Sequence, residues 1–372
     1  MNIWIDTDDK LEALCARLSE ETVIALDTEF MRTDTFHPKL ALIQLSDGHD
    51  CWLIDVLRVD TYSPLKALLE NPQRVVILHA CAEDVEVLEH ALSIALGNIF
   101  DTQIAAGIVN IGYSMGYARL LERLMGIELD KQQTRSNWMA RPLSAEQLRY
   151  AGDDVIYLHR MQMMLNEKLD QLDRWSWLDA ETRAVIDMIA GRKNVEDYYQ
   201  RVKGAHRLSA DSLRLLRRLC IWREARAREL DRPRGHILKD PVLLELAISQ
   251  PKNKAQLSTI EGLYNRDITR FGDSIISEIV AVNDDPQLAI LPQPLSRAAN
   301  TELKAVRTVL SEVARTEDIP VEYLASKREL ESILRSVHSG VPAWPQRLCE
   351  SWRARLVKPA IERILACGEN QP

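Results

Sequence analysis

Short apolar runs bounded by turn residues recur through the first part of this chain and disappear after about Trp175. They cover residues 22–26 (T-V-I-A-L), 40–45 (L-A-L-I-Q-L), 51–54 and 75–78 (V-V-I-L). Each is too short for a buried helix and suits the interior of a sheet. Amphipathic stretches alternate with them. One begins at Thr7 and places Leu11, Leu14, Cys15 and Leu18 on a common face; another covers residues 84–92. The longest spans 144–172, where Ser144 is the expected N-cap and Gln147 its capping-box partner. Alternation of this kind predicts an α/β domain, and the Leu/Ala/Arg/Glu-rich remainder predicts an all-α half. A proline-rich stretch over 285–295 (D-P-Q-L-A-I-L-P-Q-P-L) divides that half into two similar pieces, which predicts two compact helical modules joined by a stiff linker.

Acidic residues interrupt the apolar pattern where a sheet should reject them. Asp27 and Glu29 follow V-I-A-L directly, and two-residue spacing puts both on one face at the end of a strand. Such a placement costs stability unless something cationic binds there. Asp84 follows the V-V-I-L strand at a helix start, a position that capping and the helix dipole also explain. Asp101, in F-D-T-Q-I-A-A, reads as another N-cap. Tyr150 and Asp154 are four apart in the long amphipathic stretch and so share a helix face, with Asp153 competing for the same role. Hard divalent cations take oxygen ligands, and a pair of them suits in-line cleavage of a phosphodiester. Each residue alone has an ordinary structural explanation; their order along the chain points to a nuclease.

The 372 residues carry a formal charge of −8, which argues against a uniformly basic nucleic-acid coat. The charge is uneven. Between Arg192 and Arg234 stand 13 Lys/Arg against 6 Asp/Glu, a local charge of +7 suited either to a phosphate backbone or to a solvated helix face. Six scattered cysteines without a C-x-x-C motif suggest neither zinc nor a disulfide framework. The acidic start of the chain and the absence of a long apolar stretch lead to the expectation of a cytoplasmic protein without a membrane partner.

The segments L-D-T-E-F (26–30), L-H-A-C-A-E-D (78–84) and Y-A-G-D-D-V-I-Y-L (150–158) resemble the three exonuclease motifs of the DEDDy 3′-to-5′ exonucleases, and most closely those of the bacterial ribonuclease D family. L-A-L-I-Q-L-S, D-T-Q-I-A-A and L-D-K-Q-Q-T-R-S-N-W-M-A-R-P-L-S are similar to connecting segments of that family. Residues 228–247 (R-E-L-D-R-P-R-G-H-I-L-K-D-P-V-L-L-E-L-A) resemble an HRDC domain, a small helical nucleic-acid-binding module. The resemblance implies a ribonuclease H-like exonuclease domain over 1–172 with a mixed five-stranded sheet. It further implies a helical connector over 173–207, an HRDC domain over 208–284, the linker over 285–295 and a diverged HRDC-like domain over 296–372. Two divalent ions, Mg²⁺ or Mn²⁺ with Zn²⁺ or Co²⁺ as substitutes in vitro, are expected on Asp27, Glu29, Asp84 and Asp154, with Tyr150 assisting water activation. The implied partner is RNA, in 3′ processing of precursor tRNA and other small structured RNAs, by a protein acting as a monomer.

Substrate contacts are expected from several further residues. Phe30 would stack on the terminal base or pack beneath the strand. His79 would touch substrate or pack, and Gln44 would make a polar contact near the site or satisfy buried backbone. Lys131, Trp138 and Arg141 form a basic and aromatic loop suited to phosphate, with Trp138 otherwise pinning the loop. Arg214, Arg217, Arg218, Arg223, Arg226 and Arg228 would guide the RNA body toward the site. A DNA exonuclease and a non-catalytic RNA-binding scaffold are the competing readings; the second would need a lost carboxylate.

Overall fold

The computed structural model describes residues 2–129, 136–191, 194–282 and 285–368. Its strands are β1 (Asn2–Ile5), β2 (Val23–Met31), β3 (Lys39–Ser46), β4 (Cys51–Asp55), β5 (Val75–Leu78) and β6 (Ile99–Asp101). They form one sheet in the order β1-β4-β3-β2-β5-β6. The expected five strands are therefore six. The three-residue β6 and the four-residue β1 gave too short an apolar signal to be read. β4 lies parallel to β1 and antiparallel to β3, while β2, β5 and β6 run parallel, so the sheet is mixed.

The helices of this part are α1 (Asp8–Arg17), α2 (Ser63–Leu69), α3 (Ala82–Leu92), α4 (Thr102–Ile108), α5 (Tyr117–Met125), α6 (Ala145–Ile156), α7 (Leu158–Leu172) and α8 (Trp175–Gly191). Leu11 and Leu14 of α1, Leu65 and Leu68 of α2 and Val87 and Leu88 of α3 pack with Ile24 and Leu26 of β2. Ala25, the residue between them, joins a different core with α4 and α7, because successive strand residues face opposite sides. The sheet is thus a middle layer. Thr7 caps α1, and Ser144 and Gln147 form the anticipated capping box of α6.

The single long helix expected over 144–172 is two helices, broken at Tyr157. The Tyr157 N–H bonds to the Val155 carbonyl, two residues back, rather than continuing the four-residue ladder. The Asp153 carbonyl, which that ladder would have used, instead accepts the Tyr117 hydroxyl of α5 at 2.7 Å.

Helices α9 (Ala210–Glu229), α10 (Arg234–Ile237), α11 (Asp240–Ser249), α12 (Lys254–Leu257) and α13 (Asn265–Ala281) follow, then α14 (Arg297–Thr316), α15 (Val321–Leu324), α16 (Lys327–His338), α17 (Gln346–Cys349) and α18 (Ala354–Gly368). The two sets repeat one plan. Each opens with a 20-residue helix capped by a serine, Ser209 or Ser296. At equal spacing from that serine, Pro233 or Pro320 introduces a four-residue helix, which ends in extended backbone at Leu238 or Ala325. A longer helix, a second four-residue helix and a final long helix complete both sets.

Their packing differs. One compact unit holds residues 1–31, 40–187 and 295–372; the other holds 32–39 and 188–294. The piece beginning at 296, expected as a separate module, shares a core with the sheet domain: Leu303, Val306, Leu310, Leu324, Ile333, Val357 and Ile361 cluster with Ile104, Met161, Leu165 and Trp177. Trp177 of α8 stacks on Trp352 with centroids 4.0 Å apart, and the Arg353 guanidinium pairs with the buried Glu181. In the second unit α9, α11 and α13 surround Leu216, Leu219, Leu243, Leu246, Phe271 and Ile275. Segment 32–39, which joins β2 to β3, is part of this unit. Asp231 accepts hydrogen bonds from the Phe36 and His37 amides, and the Arg228 and Arg234 guanidiniums lie over the Phe36 ring. Among the described residues no helix is long and apolar enough to cross a membrane.

Candidate active site

Strand β2 outlasts its neighbour. β5 pairs only with residues Val23 to Ala25, so from Asp27 onward one edge of β2 lies open, and β2 runs on to Met31 rather than ending near Asp27. Asp27 and Glu29 project on the side covered by α6, and Asp154 of α6 meets them: ligand oxygens of these three lie within 4.8 Å of one another. The helix contributes Asp154, not its neighbour Asp153, to this cluster.

The electrostatics are those of a cation site. Burial, then the neighbouring Asp154, holds the Asp27 carboxyl well above the usual carboxylate range. Burial, then Asp27, Asp154 and Asp84, pushes Glu29 up to about 10. Burial chiefly raises Asp154 to about 7, against a lowering hydrogen bond from Tyr150. Among the described residues, the charges acting on Asp27 and Glu29 are other carboxylates. Hard oxygen donors that cannot all ionise without a cation fit Mg²⁺ or Mn²⁺.

Asp84 sits apart from the trio. It is 6% exposed in the first turn of α3, and the Thr28 hydroxyl donates to its Oδ1 at 2.5 Å. Burial and then Asp27 hold it well above the usual carboxylate range. Tyr150 lies one helical turn before Asp154, and burial followed by Asp154 pushes its phenol up. Its ring lies 6.1 Å from that of Trp138.

The expected substrate contacts fare differently. Arg141 is fully committed: Nε and Nη2 grip the two oxygens of Asp55 at 2.8 and 2.6 Å, Nη1 donates to the Trp138 and Ala140 carbonyls, and Nη2 also donates to Ala41. Its five N–H groups are all used, which leaves none for a phosphate. Trp138 is 2% exposed and braces Tyr150, so it pins the loop rather than meeting RNA. Lys131 lies outside the described residues.

His79 is locked as well. Its Nε2–H donates to the Met115 carbonyl at 3.0 Å, Nδ1 lies 2.9 Å from the Thr102 hydroxyl, and burial lowers its pKa. The ring packs edge-on against Tyr117. Phe30 packs against the core of the opposite sheet face from Asp27 and Glu29, as strand alternation requires. Gln44 is fully buried opposite Leu53 and satisfies neither expectation, because its amide finds no partner among the described residues.

The six α9 arginines expected to guide RNA all pair with carboxylates. The pairs are Arg214 with Asp211, Arg217 with Glu196, Arg218 with Glu278 and Asp285, Arg223 with Asp240, Arg226 with Glu229 and Arg228 with Glu224. Arg223 is itself 2% exposed. Glu278, Asp240 and Asp285 come from beyond the basic segment, so a local charge count overstated the field. Two residues went unread: Thr28, hidden in the D-T-E motif as a bland strand former, and Tyr117, whose partner is a backbone carbonyl invisible to side-chain patterning.

Residues 2–170 match a 3′-5′ exonuclease family and residues 212–279 match the HRDC domain. The chain is 38% identical over 368 residues to ribonuclease D of Pseudomonas paraeruginosa, covering 97% of each. It is 32% identical to the Shewanella sp. ribonuclease D, covering 97% of this chain and 93% of that one. Among solved structures it is similar to Escherichia coli RNase D, described as an exoribonuclease involved in structured RNA processing, with a TM-score of 0.88, 31% identity and complete coverage of both chains.

Proposed function

Because the chain belongs to the ribonuclease D family and is therefore a 3′-to-5′ exoribonuclease, we propose that it is metal-dependent and trims the 3′ ends of precursor tRNA and other small structured RNAs. The observation that carries the metal dependence is the trio Asp27, Glu29 and Asp154, gathered within 4.8 Å with each carboxyl pushed upward. Asp84 stands beside it as the fourth carboxylate. Two divalent ions bound there supply positive charge to the attacking and leaving oxygens of the phosphodiester.

The protein's own groups orient the reaction. Tyr150 lies one helical turn before Asp154 and the Trp138 ring packs beside its own, so the phenol is placed beside the carboxylate cluster to orient a water. Without a bound cation, burial and the neighbouring carboxylates favour the neutral phenol of Tyr150. The products expected are nucleoside 5′-monophosphates. The paired α9 arginines leave general attraction of RNA to other basic groups. The repeated helix plan of α14–α18 supports reading that piece as a diverged HRDC-like module, and a cytoplasmic monomer completes the proposal.

The test is incubation with 3′-extended tRNA and matched single-stranded DNA, with Mg²⁺, Mn²⁺ or EDTA, beside an Asp27→Asn/Glu29→Gln variant. Release of 5′-monophosphates from RNA that needs both metal and the two carboxylates supports the reading. Undiminished release in EDTA refutes metal dependence, and equal release from DNA refutes a role confined to RNA.

A further inference from the structure

Three carboxylates of the site gather in one cluster and the fourth stands outside it. Asp27, Glu29 and Asp154 approach within 4.8 Å, whereas Asp84 reaches the site from a different element on the other side of the strand. Something must hold Asp84 at a fixed place and orientation, since a free carboxylate on the first turn of a helix has several rotamers. A cationic partner would do this badly, because it would neutralise the very charge a metal site needs.

The strand itself supplies the holder. Between Asp27 and Glu29 stands Thr28, whose side chain points to the opposite face, toward α3, and is 5% exposed. Because β5 leaves the ladder before this point, the first turn of α3 occupies the gap beside β2. There the Thr28 Oγ1 donates to Asp84 Oδ1 at 2.5 Å. A neutral hydroxyl holds the carboxylate without discharging it. A β-branched side chain on a strand has few rotamers, so the donor is aimed as rigidly as the strand that carries it. The Thr28 bond uses Oδ1, so it leaves Oδ2 to face an ion or a water that an ion carries.

We propose that Thr28 is a positioning residue of the active site: its hydroxyl fixes Asp84 in register with Asp27 and Glu29, so that one strand residue sets the geometry at which the second divalent ion is held. This rests on the two-ion reading above. Thr28 touches no substrate and acts through Asp84 alone. Partners that orient a metal ligand typically change metal affinity by about 10- to 100-fold when removed.

Calorimetric titration of the full chain with Mn²⁺ alone tests this, together with steady-state kinetics on a 3′-extended RNA. Thr28→Val keeps shape and burial but removes the donor; Thr28→Ser keeps the donor. The valine variant is expected to keep the tighter Mn²⁺ site, lose affinity at the weaker one by about tenfold or more, and drop in kcat with KM unchanged. The serine variant is expected to restore both. In an Asp84→Asn background, Thr28→Val should cost nothing further. Wild-type Mn²⁺ binding by Thr28→Val, failure of serine to rescue, or additive losses in the double variant would each overturn the proposal. If wild type binds no Mn²⁺ and cleaves RNA in EDTA, the two-ion reading itself is overturned, whatever Thr28→Val does.

Discussion

At the scale of single residues the site is a balance between burial and like charge. Asp154 is raised to about 7 chiefly by burial, from an ordinary value of 3.8. A carboxyl whose folded pKa lies above its unfolded one costs nothing below the lower value. Its stability is lost as pH rises through the window between the two, here from about 4 to about 7. Metal-free wild type should therefore melt like Asp154→Asn at pH 4 and roughly 1–2 °C below it at pH 8 for each kcal/mol involved. Mn²⁺ should close the gap by raising wild type. Equal midpoints at pH 8 would show that the carboxylates do not strain the metal-free fold. Tyr150→Phe keeps the ring against Trp138 and removes only the hydroxyl. It should lower kcat by about 100-fold or more; an unchanged kcat would remove Tyr150 from the proton pathway. The grouping of Asp27, Glu29 and Asp154 was legible because a cation site dictates residue type at fixed spacing. His79 takes the packing alternative, and Arg141 was misread for the complementary reason: a polar side chain near a site has the same letter whether it meets substrate or backbone.

At the scale of elements, lengths and breaks decide the geometry. The site exists because β2 continues past the end of β5, and because α6 stops at Tyr157 with the Asp153 carbonyl tied to α5 through Tyr117. The segment 136–142 is a brace built on the Arg141–Asp55 pair, which lies beneath Trp138 and hence beneath Tyr150. Arg141→Met should destabilise the fold by about 3–5 kcal/mol, because it strands the buried Asp55 charge. In the folded fraction kcat should fall while KM for RNA holds, measured by denaturant unfolding alongside kinetics. A selective rise in KM would return Arg141 to a phosphate-binding role. Capping signals at Thr7 and Ser144 were legible since they are local. The break at Tyr157 was not, because a hydroxyl distant in sequence stabilises it.

At the scale of the whole molecule, the helical half divides unequally. Residues 295–372 share the hydrophobic core of the sheet domain, through Trp352 on Trp177, Tyr323 against Ile104 and Arg353 on Glu181. A chain ending at Pro294 would expose Ile104, Trp177 and their neighbours at once. It should lose near-ultraviolet circular dichroism and aggregate, whereas a chain with the α9 arginine pairs disrupted should retain the signal of the sheet domain. A soluble, native-like spectrum from the truncated protein would show the C-terminal piece to be dispensable for the core. The proline-rich stretch, expected as a stiff linker, belongs to the second unit up to Pro294, with Leu288 and Leu291 packed on that unit's core, and nothing in its composition says to which body the following helices return. By itself the sequence determined what is local or chemical: an α/β domain then helices, the caps, and the identity of the acidic and phenolic residues, each set by short-range periodicity or by the demands of a cation. Only the tertiary structure decided which charges are spent on one another, that Asp84 stands apart and is held by Thr28, and that the last helices complete the catalytic core. Those outcomes depend on contacts between residues far apart in the chain, whose energies no local pattern encodes.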